Sequence, residues 1–389
     1  MTILEGTRRT RLVALVAVAA SVFLSCETPA KPPVPAAPAP ESEVDVALFL
    51  IGDAGVPAGA RDPVLAALTR DVSRNPRLSL VVFLGDNIYM RGLPAETDPG
   101  RAESERRLQA QMEVARAAGV RAIFIPGNHD WSKSGADGWD AVRRMGRYLA
   151  ENGGGSISML PEGGCPGPEV VDQGGGVRLV FLDTEWWLRE GPKPRHPDSS
   201  CLADSPEEVV ASMADALGKR GTRQVVVMAH HPLMSGGTHG GHFGWEHHLF
   251  PFRDWKSWLW VPCPVLGSAY PLARKAGIYA QDVSSPPYRR MRKDLESVFA
   301  KSPPLVYAAG HEHNLQVLSG HSARYVLVSG GGSFDHTTRV EPLRETLFAR
   351  RASGYMRLDV LRSGRVRLGV IVVGDRGPNE AFSLWLDVP

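Results

Sequence analysis

The chain has 389 residues, is 43% hydrophobic and 22% charged, and carries a formal net charge of +2. That balance belongs to a folded globular protein and excludes a disordered or collagen-like chain. Its 41 Gly and 31 Pro imply many loops between short elements, which argues against coiled coils and helical bundles. A multi-pass membrane protein is also excluded, because the one apolar run that approaches membrane length lies at the N-terminus.

That run, Leu12–Leu24, follows Arg8, Arg9 and Arg11. It is short for a bilayer span and fits the apolar core of an export signal. Leu24-Ser25-Cys26 resembles a bacterial lipoprotein cleavage site, which makes Cys26 the expected lipidated residue. Ordinary secretion with cleavage nearby is the alternative. Residues 27–43 hold six Pro among Ala, Lys and Glu and read as a semi-rigid tether. The expected organisation is a signal over 1–25, an anchored linker over 26–43 and one folded domain over 44–389. The protein is thus expected to be exported and held at a membrane by its anchor. Residues 1–25 carry three Arg and one Glu, so the chain without them has no net charge. A general nucleic-acid binder carries a basic excess, and no nucleic-acid partner is expected.

From residue 44 apolar runs alternate with polar helical stretches. The pattern predicts a strand over Val44–Ile51, a helix over Pro63–Ser73, a strand over Leu80–Leu84 and a helix over Glu103–Ala118. It continues with a strand over Arg121–Pro126, a helix over Trp139–Glu151, a strand over Val177–Leu182 and a helix over Pro206–Lys219. Strand Gln224–Ala229, helix Tyr288–Ala300 and strands Leu305–Ala309 and Tyr325–Ser329 follow. The tail, Tyr355–Val360, Arg365–Val373 and Phe382–Val388, reads as a β-meander. These elements fit an α/β domain built as a layered α/β/β/α sandwich. Besides Cys26 the chain has Cys165, Cys201 and Cys263, enough for one disulfide within the chain. Cys165 and Cys201 both lie in Gly/Pro-rich loop sequence and are the favoured pair. No cysteine spacing matches a zinc site.

Five of the strands run into residues able to bind a metal. The first ends in Gly52-Asp53-Ala54-Gly55 and the second in Gly85-Asp86-Asn87-Ile88-Tyr89. The others end in Gly127-Asn128-His129-Asp130, His230-His231-Pro232 and Gly310-His311-Glu312-His313. Ligands of open α/β sheets bind beyond the carboxyl ends of strands, and glycine lets the backbone turn sharply there. One Gly-Asp after a strand is usually a plain turn, and Gly374-Asp375-Arg376-Gly377, with no His near it, reads as one. The specificity lies in the ordered set of five.

That set resembles the calcineurin-like metallophosphoesterases and, within them, the purple acid phosphatases. Asp53-Ala54-Gly55 stands where most of the superfamily has Asp-x-His, and Tyr89 stands three residues after Asp86, the place of a tyrosinate ligand in the purple group. Asn314-Leu315-Gln316 and the segment Tyr325–Gly332 are similar to the small, mammalian-type members. The resemblance spans roughly residues 44–340 and is faint over 131–176 and 243–300. It implies a four-layer metallophosphoesterase fold and a two-metal site. Asp53, Tyr89 and His313 would bind one metal, and Asn128, His230 and His311 the other, with Asp86 bridging. His230 is preferred to His231 because one residue separates it from Pro232. An Fe(III) ion with a divalent Fe, Zn or Mn is the implied pair, with two divalent ions as the alternative. Carboxylate and phenolate are hard anionic oxygens suited to a trivalent ion, and Asn and imidazole suit a divalent one.

The implied reaction is phosphomonoester hydrolysis of a small phosphorylated substrate by a hydroxide that the metals activate. His129 and His239 are the expected substrate-facing histidines, with Asp130 orienting the His129 ring. His242, His247 and His248 read as loop histidines. Trp245, Phe250, Phe252, Trp255, Trp258 and Trp260 either wall a cleft or pack a long insertion. Arg289, Arg290 and Arg292 read as a solvated helix face or as phosphate contacts. Two alternatives remain: a phosphodiesterase or nucleotide hydrolase on the same metals, and a surface lipoprotein that binds phosphate or metal without turnover.

Overall fold

The computed structural model describes residues 35–250, 252 and 258–388. The expected signal, Cys26, the first part of the tether and Trp255 lie outside the described residues. In chain order the elements begin with β1 (Val44–Ile51), α1 (Pro63–Val72), β2 (Ser79–Leu84), α2 (Arg101–Ala118) and β3 (Arg121–Ile125). Next come α3 (Gly138–Asn152), β4 (Ile157–Met159), β5 (Glu169–Gln173), β6 (Val177–Phe181), α4 (Glu185–Leu188), α5 (Pro206–Gly218) and β7 (Gln224–Met228). Then follow α6 (Trp245–Leu249), α7 (Pro264–Lys275), α8 (Pro286–Phe299), β8 (Val306–Ala309), β9 (Leu315–Ser319) and β10 (Tyr325–Ser329). The tail holds β11 (Thr346–Arg350), β12 (Gly354–Leu361), β13 (Val366–Gly374) and β14 (Gly377–Leu386).

Local chemistry sets the helix ends. Asp62 caps α1 by accepting from the Val64 and Leu65 amides at 2.8 and 3.2 Å, and Pro63 supplies the first helical residue. Ser205 and Ser285 cap α5 and α8 in the same way, each followed by Pro. Gly119 closes α2 with a left-handed φ of 65°.

The strands form two seven-stranded sheets, ordered β14-β13-β12-β1-β2-β3-β4 and β11-β9-β10-β8-β7-β6-β5. The central strands are buried on both faces, and alternate residues enter different cores. Val46, Leu48 and Leu50 of β1 meet Leu179, Phe181, Val226 and Met228 in the core between the sheets. Phe49 and Ile51 face the other way and pack with Leu68, Met112 and Met145 of α1, α2 and α3. On the far side, Val225 and Val227 of β7 pack with Met213 and Leu217 of α5 and Met291 and Leu295 of α8. This is the expected α/β/β/α layering. β1, β2 and β3 run parallel, as do β6, β7 and β8, so their carboxyl ends gather at one edge of each sheet.

Several elements were not expected. β5 alternates half-buried and exposed residues, β4 is only three residues long, and α7 contains Pro271, so none carries a strong periodic signal. Gly374 pairs with Gly377 across a two-residue hairpin turn between β13 and β14, the plain turn its context implied. Cys165 and Cys201 are joined in a disulfide, and Cys263 is free.

Candidate metal centre

Asp53, Asp86 and His311 follow β1, β2 and β8 with left-handed φ values of 60°, 54° and 71°. Such backbone is costly for residues with a Cβ and persists where surrounding structure holds it. Here the carboxylates help. Asp53 Oδ2 accepts the His311 amide at 2.8 Å, and Asp86 Oδ1 accepts the His129 amide at 2.8 Å. The neighbouring glycines have no room for a side chain. A Cβ on Gly85 would lie 2.5 Å from His230 Nδ1, one on Gly127 2.4 Å from Asp86 Oδ1, and one on Gly310 2.6 Å from Asp53 Oδ2.

The seven side chains come together as two groups. Tyr89 Oη lies 2.9 Å from both Asp53 Oδ1 and His313 Nε2, and those two are 3.4 Å apart. Asn128 Oδ1 lies 3.0 Å from His230 Nε2 and 3.1 Å from His311 Nδ1, with the two nitrogens 3.3 Å apart. Asp86 Oδ1 is 3.4 Å from His230 Nε2, and donor atoms of Asp53, Asp86 and His230 all lie within 4.8 Å of one another. Asp86 therefore sits at the junction. His231 also falls within metal-binding distance of His230 and His311. Its nitrogens are committed elsewhere, Nδ1 to Thr184 Oγ1 at 2.8 Å and Nε2 to Gln281 Oε1 at 2.7 Å. That leaves His230 as the better donor of the pair.

The electrostatics fit a cation. Burial opposes the Asp86 charge, yet the His230 and His129 imidazoles hold its carboxyl far below the usual range. Burial also opposes protonation of His230, but Asp86 and Asp53 push it up to about 10. Burial, and then the Asp53 and Asp86 carboxylates, drive the Tyr89 phenol well above its ordinary value. Protons thus stand where buried oxygens and imidazoles crowd together, and a multivalent cation would displace them. Asp53, Tyr89, His313 and Asp86 on one side, and Asn128, His230, His311 and Asp86 on the other, fit such a pair in number and chemistry.

Around this centre His129 packs at a tilt against Tyr89 with ring centroids 4.2 Å apart, its Nδ1 2.8 Å from the Met90 carbonyl and its Nε2 3.8 Å from Asp86 Oδ2. Asp130 does not orient that ring, contrary to expectation. Its buried carboxylate accepts the Gly127, Asn87 and Ile88 amides at 2.9–3.2 Å and the Asn87 side chain at 2.9 Å. Successive residues of a tight turn point apart, and a buried carboxylate needs several donors; the turn amides supply them and the ring does not. Asp130 instead fixes the loops that carry Asp86 and Asn128. His239 lies against His311, ring centroids 4.1 Å apart. Its loop is pinned by Glu312, whose Oε1 accepts from Ser235 Oγ and from the His239 and Gly240 amides at 2.8–3.2 Å.

Sequence reasoning missed Gln281, Asp282 and His336. The Gln281 carbonyl lies 3.1 Å from His311 Nε2, and Asp282 Oδ1 3.0 Å from His239 Nδ1. His336 packs 4.2 Å from His313 and 5.3 Å from Tyr89, centroid to centroid. None sits in a pattern of its own; the Gly-rich segment before His336 was the one available signal. Trp245, Trp258 and Trp260 are largely exposed, with Phe250 between Trp245 and Trp260. Arg289 and Arg290 are exposed on α8 opposite its buried Met291 and Leu295, as a solvated face requires.

Residues 48–259, more than half of the chain, match the family described as calcineurin-like phosphoesterase. The chain belongs to that family. Three solved structures share its fold. GAP50, described as the anchor in the inner membrane complex of Plasmodium, is 13% identical with a TM-score of 0.58, over 89% of this chain and 90% of that one. A purple acid phosphatase from yellow lupin (Lupinus luteus) seeds is 14% identical with a TM-score of 0.53, over 92% of this chain and 55% of that one. PhoD is 13% identical with a TM-score of 0.52, over 92% of this chain and 72% of that one. At these identities the likeness is one of fold. No curated protein matches the sequence significantly. For a calcineurin-like phosphoesterase, a donor set at the carboxyl ends of both sheets is where the fold places its chemistry.

Proposed function

We propose that the protein is a dinuclear metal-dependent phosphomonoesterase. The observation that carries this reading is the meeting of two complete donor groups at Asp86, with His129 and His239 beside them. When bound, two metal ions polarise a phosphoryl group and bring water towards hydroxide at neutral pH. The chain's own residues do the rest. Asp53 and Asp86 fix the anionic side of the site, and the turn glycines keep both sheets close enough for donors to meet. His129, partly open to solvent and held by the Met90 carbonyl, is placed to protonate or contact the departing oxygen. His239 is placed to contact the phosphoryl group from the His311 side. A ferric–divalent pair suits the Tyr89 side best, because carboxylate and phenolate are hard anionic oxygens matched to a trivalent ion.

The same reading includes export, lipidation at Cys26 and a tether holding a catalytic domain over residues 44–389 near a membrane; the Leu12–Leu24 run and the six prolines of 27–43 support it. A binding role without turnover competes with it, since one structure of the same fold is described as an anchor. The two substrate-facing histidines favour turnover. The test is reconstitution of purified protein with iron and zinc, followed by assay of nitrophenyl phosphate and its bis ester. Faster monoester turnover that chelation abolishes is expected. Faster diester turnover would make it a phosphodiesterase, and tight metal binding with no turnover of either ester would overturn the enzyme reading.

A further inference from the structure

The segment 243–285, where the family resemblance is faint, reaches into the site through Asp282. This carboxylate is buried, 1% exposed, and meets three donor atoms. Arg274 Nη2 donates to Oδ1 at 2.6 Å, Arg274 Nε donates to Oδ2, and His239 Nδ1 lies 3.0 Å from Oδ1. The backbone adds a second tie, as the Val283 amide donates to the His239 carbonyl at 2.9 Å. Arg274 is held in turn by aromatic rings of the insertion, its guanidinium carbon 5.7, 5.5 and 4.9 Å from the ring centres of Phe243, Tyr270 and Tyr279. The opposite ring nitrogen, His239 Nε2, makes no hydrogen bond to a described residue.

We infer that Asp282, clamped by Arg274, is a positioning residue for His239: it holds the tautomer with the proton on Nδ1 and leaves Nε2 as the free edge towards substrate. The inference deepens the phosphatase reading and rests on it for the role of His239. Two tautomers compete, because Arg274 Nη2 also lies 3.2 Å from His239 Nδ1. A bare lone pair on Nδ1 would face an anionic oxygen at the shorter distance and be repelled, whereas an N–H is attracted. Arg274 meanwhile has that same oxygen to donate to. The tautomer of a histidine follows the hydrogen bond its other nitrogen makes, and the partner that fixes it orients the ring as well. Through this contact helix α7 and its aromatic collar set the direction of one substrate-facing group.

The test has two arms. Nitrogen-15 histidine spectra of the full-length, zinc-loaded chain identify His239 by the signals lost in His239→Gln. Protonation at Nδ1 is expected in the parent protein, with a shift towards Nε2 protonation in Asp282→Ala. If that variant fails to fold, Asp282→Leu, of similar size and without an acceptor, takes its place. Protonation at Nε2 in the parent, or an unchanged pattern in the variant, would overturn the inference. In the second arm, kcat and KM for phenyl phosphate are measured across a cycle of Asp282→Ala and His239→Ala. Loss of an orienting partner typically costs ~10–100-fold. That loss is expected in kcat on the parent background, nearly none where His239 is already absent, and partial recovery in Asp282→Glu. Equal losses on both backgrounds would show a merely structural carboxylate. A parent protein that hydrolyses no phosphoester would refute the phosphatase reading, and the spectra would still decide the role of Asp282.

Discussion

Gly85→Ala tests whether the glycines at the strand ends are what allow the donors to meet. The new Cβ would lie 2.5 Å from His230 Nδ1 and 2.9 Å from Gly127 Cα, against 3.4 Å for an ordinary contact, so one side must move by about 0.9 Å. His230 has little freedom to yield, with Nδ1 2.8 Å from the Leu84 carbonyl and Nε2 3.0 Å from Asn128 Oδ1. Gly85 also has φ of 90°, outside the range a Cβ tolerates. Left-handed backbone costs an L-residue about 1–2 kcal/mol, and overpacking about 1–3 kcal/mol. A loss of roughly 2–5 kcal/mol follows, a large share of the ~5–15 kcal/mol that holds a typical domain together. A misplacement near 1 Å at a reacting centre costs on the order of 10² in rate. Urea unfolding with and without zinc, zinc stoichiometry and kcat would all be measured. Gly218→Ala is the control: at the end of α5 its added Cβ meets nothing within 4 Å beyond its chain neighbours and its own helix backbone. It should be neutral, or gain about 0.5–1 kcal/mol from the helix. If Gly85→Ala unfolds like the parent and binds a full metal complement, close approach is not what the glycine provides.

Other expectations follow from the same geometry. Asp86→Ala should lose metal and turnover together, by more than the ~100-fold of an indirect change; retention of both metals with near-normal turnover would remove Asp86 from the junction. His129→Ala should keep its metal but lose ~10²–10⁴-fold in kcat. That loss should shrink for dinitrophenyl phosphate, and equal losses for phenyl and dinitrophenyl esters would count against a leaving-group role. Iron-loaded, oxidised protein should absorb visible light, and Tyr89→Phe should bleach it; a colourless parent with a full ferric complement would remove Tyr89 from the ligands. Lys193 lies over the Trp186 ring, and burial, then Arg195 and Arg189, lowers its ammonium to about 8. An unfolded lysine titrates near ~10.4, so between those values the folded form binds fewer protons and stability rises with pH. Lys193→Met should flatten that rise in urea melts taken from pH 7 to 10.5; an unaltered slope would mean the ammonium is not desolvated.

The sheet-end residues were legible because two signals coincide there. Val46–Ile51 is continuously apolar, as a strand buried on both faces must be, and it ends abruptly in Gly52-Asp53. The same coincidence exposes Asp86, Asn128, His230 and His311. β5 was invisible because a half-exposed edge strand resembles loop sequence, and α7 because Pro271 and Gly267 interrupt it. Asp130 misled because adjacency in sequence says nothing of direction: beside His129, it serves the amides of residues 87, 88 and 127. Gln281 and Asp282 were beyond reach for another reason. They act on His231, His311 and His239 from a segment without periodicity, and only the folded chain brings them there.

Asp53, Asp86, Tyr89 and Asn128 hang from the first sheet, and His230, His311 and His313 from the second. Any ion held between them is also a rivet through the seam of the sandwich. An ion present at a hundred times its dissociation constant adds ~2.7 kcal/mol to the folded state, and here that increment opposes separation of the layers rather than fraying of one helix. Loaded chain should therefore unfold in one step. Chelated chain would join the layers at this edge through the hydrophobic seam and hydrogen bonds such as that from the Gly52 amide to the Ser329 carbonyl at 2.7 Å, and a rising share of molecules would open there first. A phosphoesterase built this way would carry its durability in the same atoms as its chemistry, so scarcity of metal would shorten the life of the protein as well as silence it.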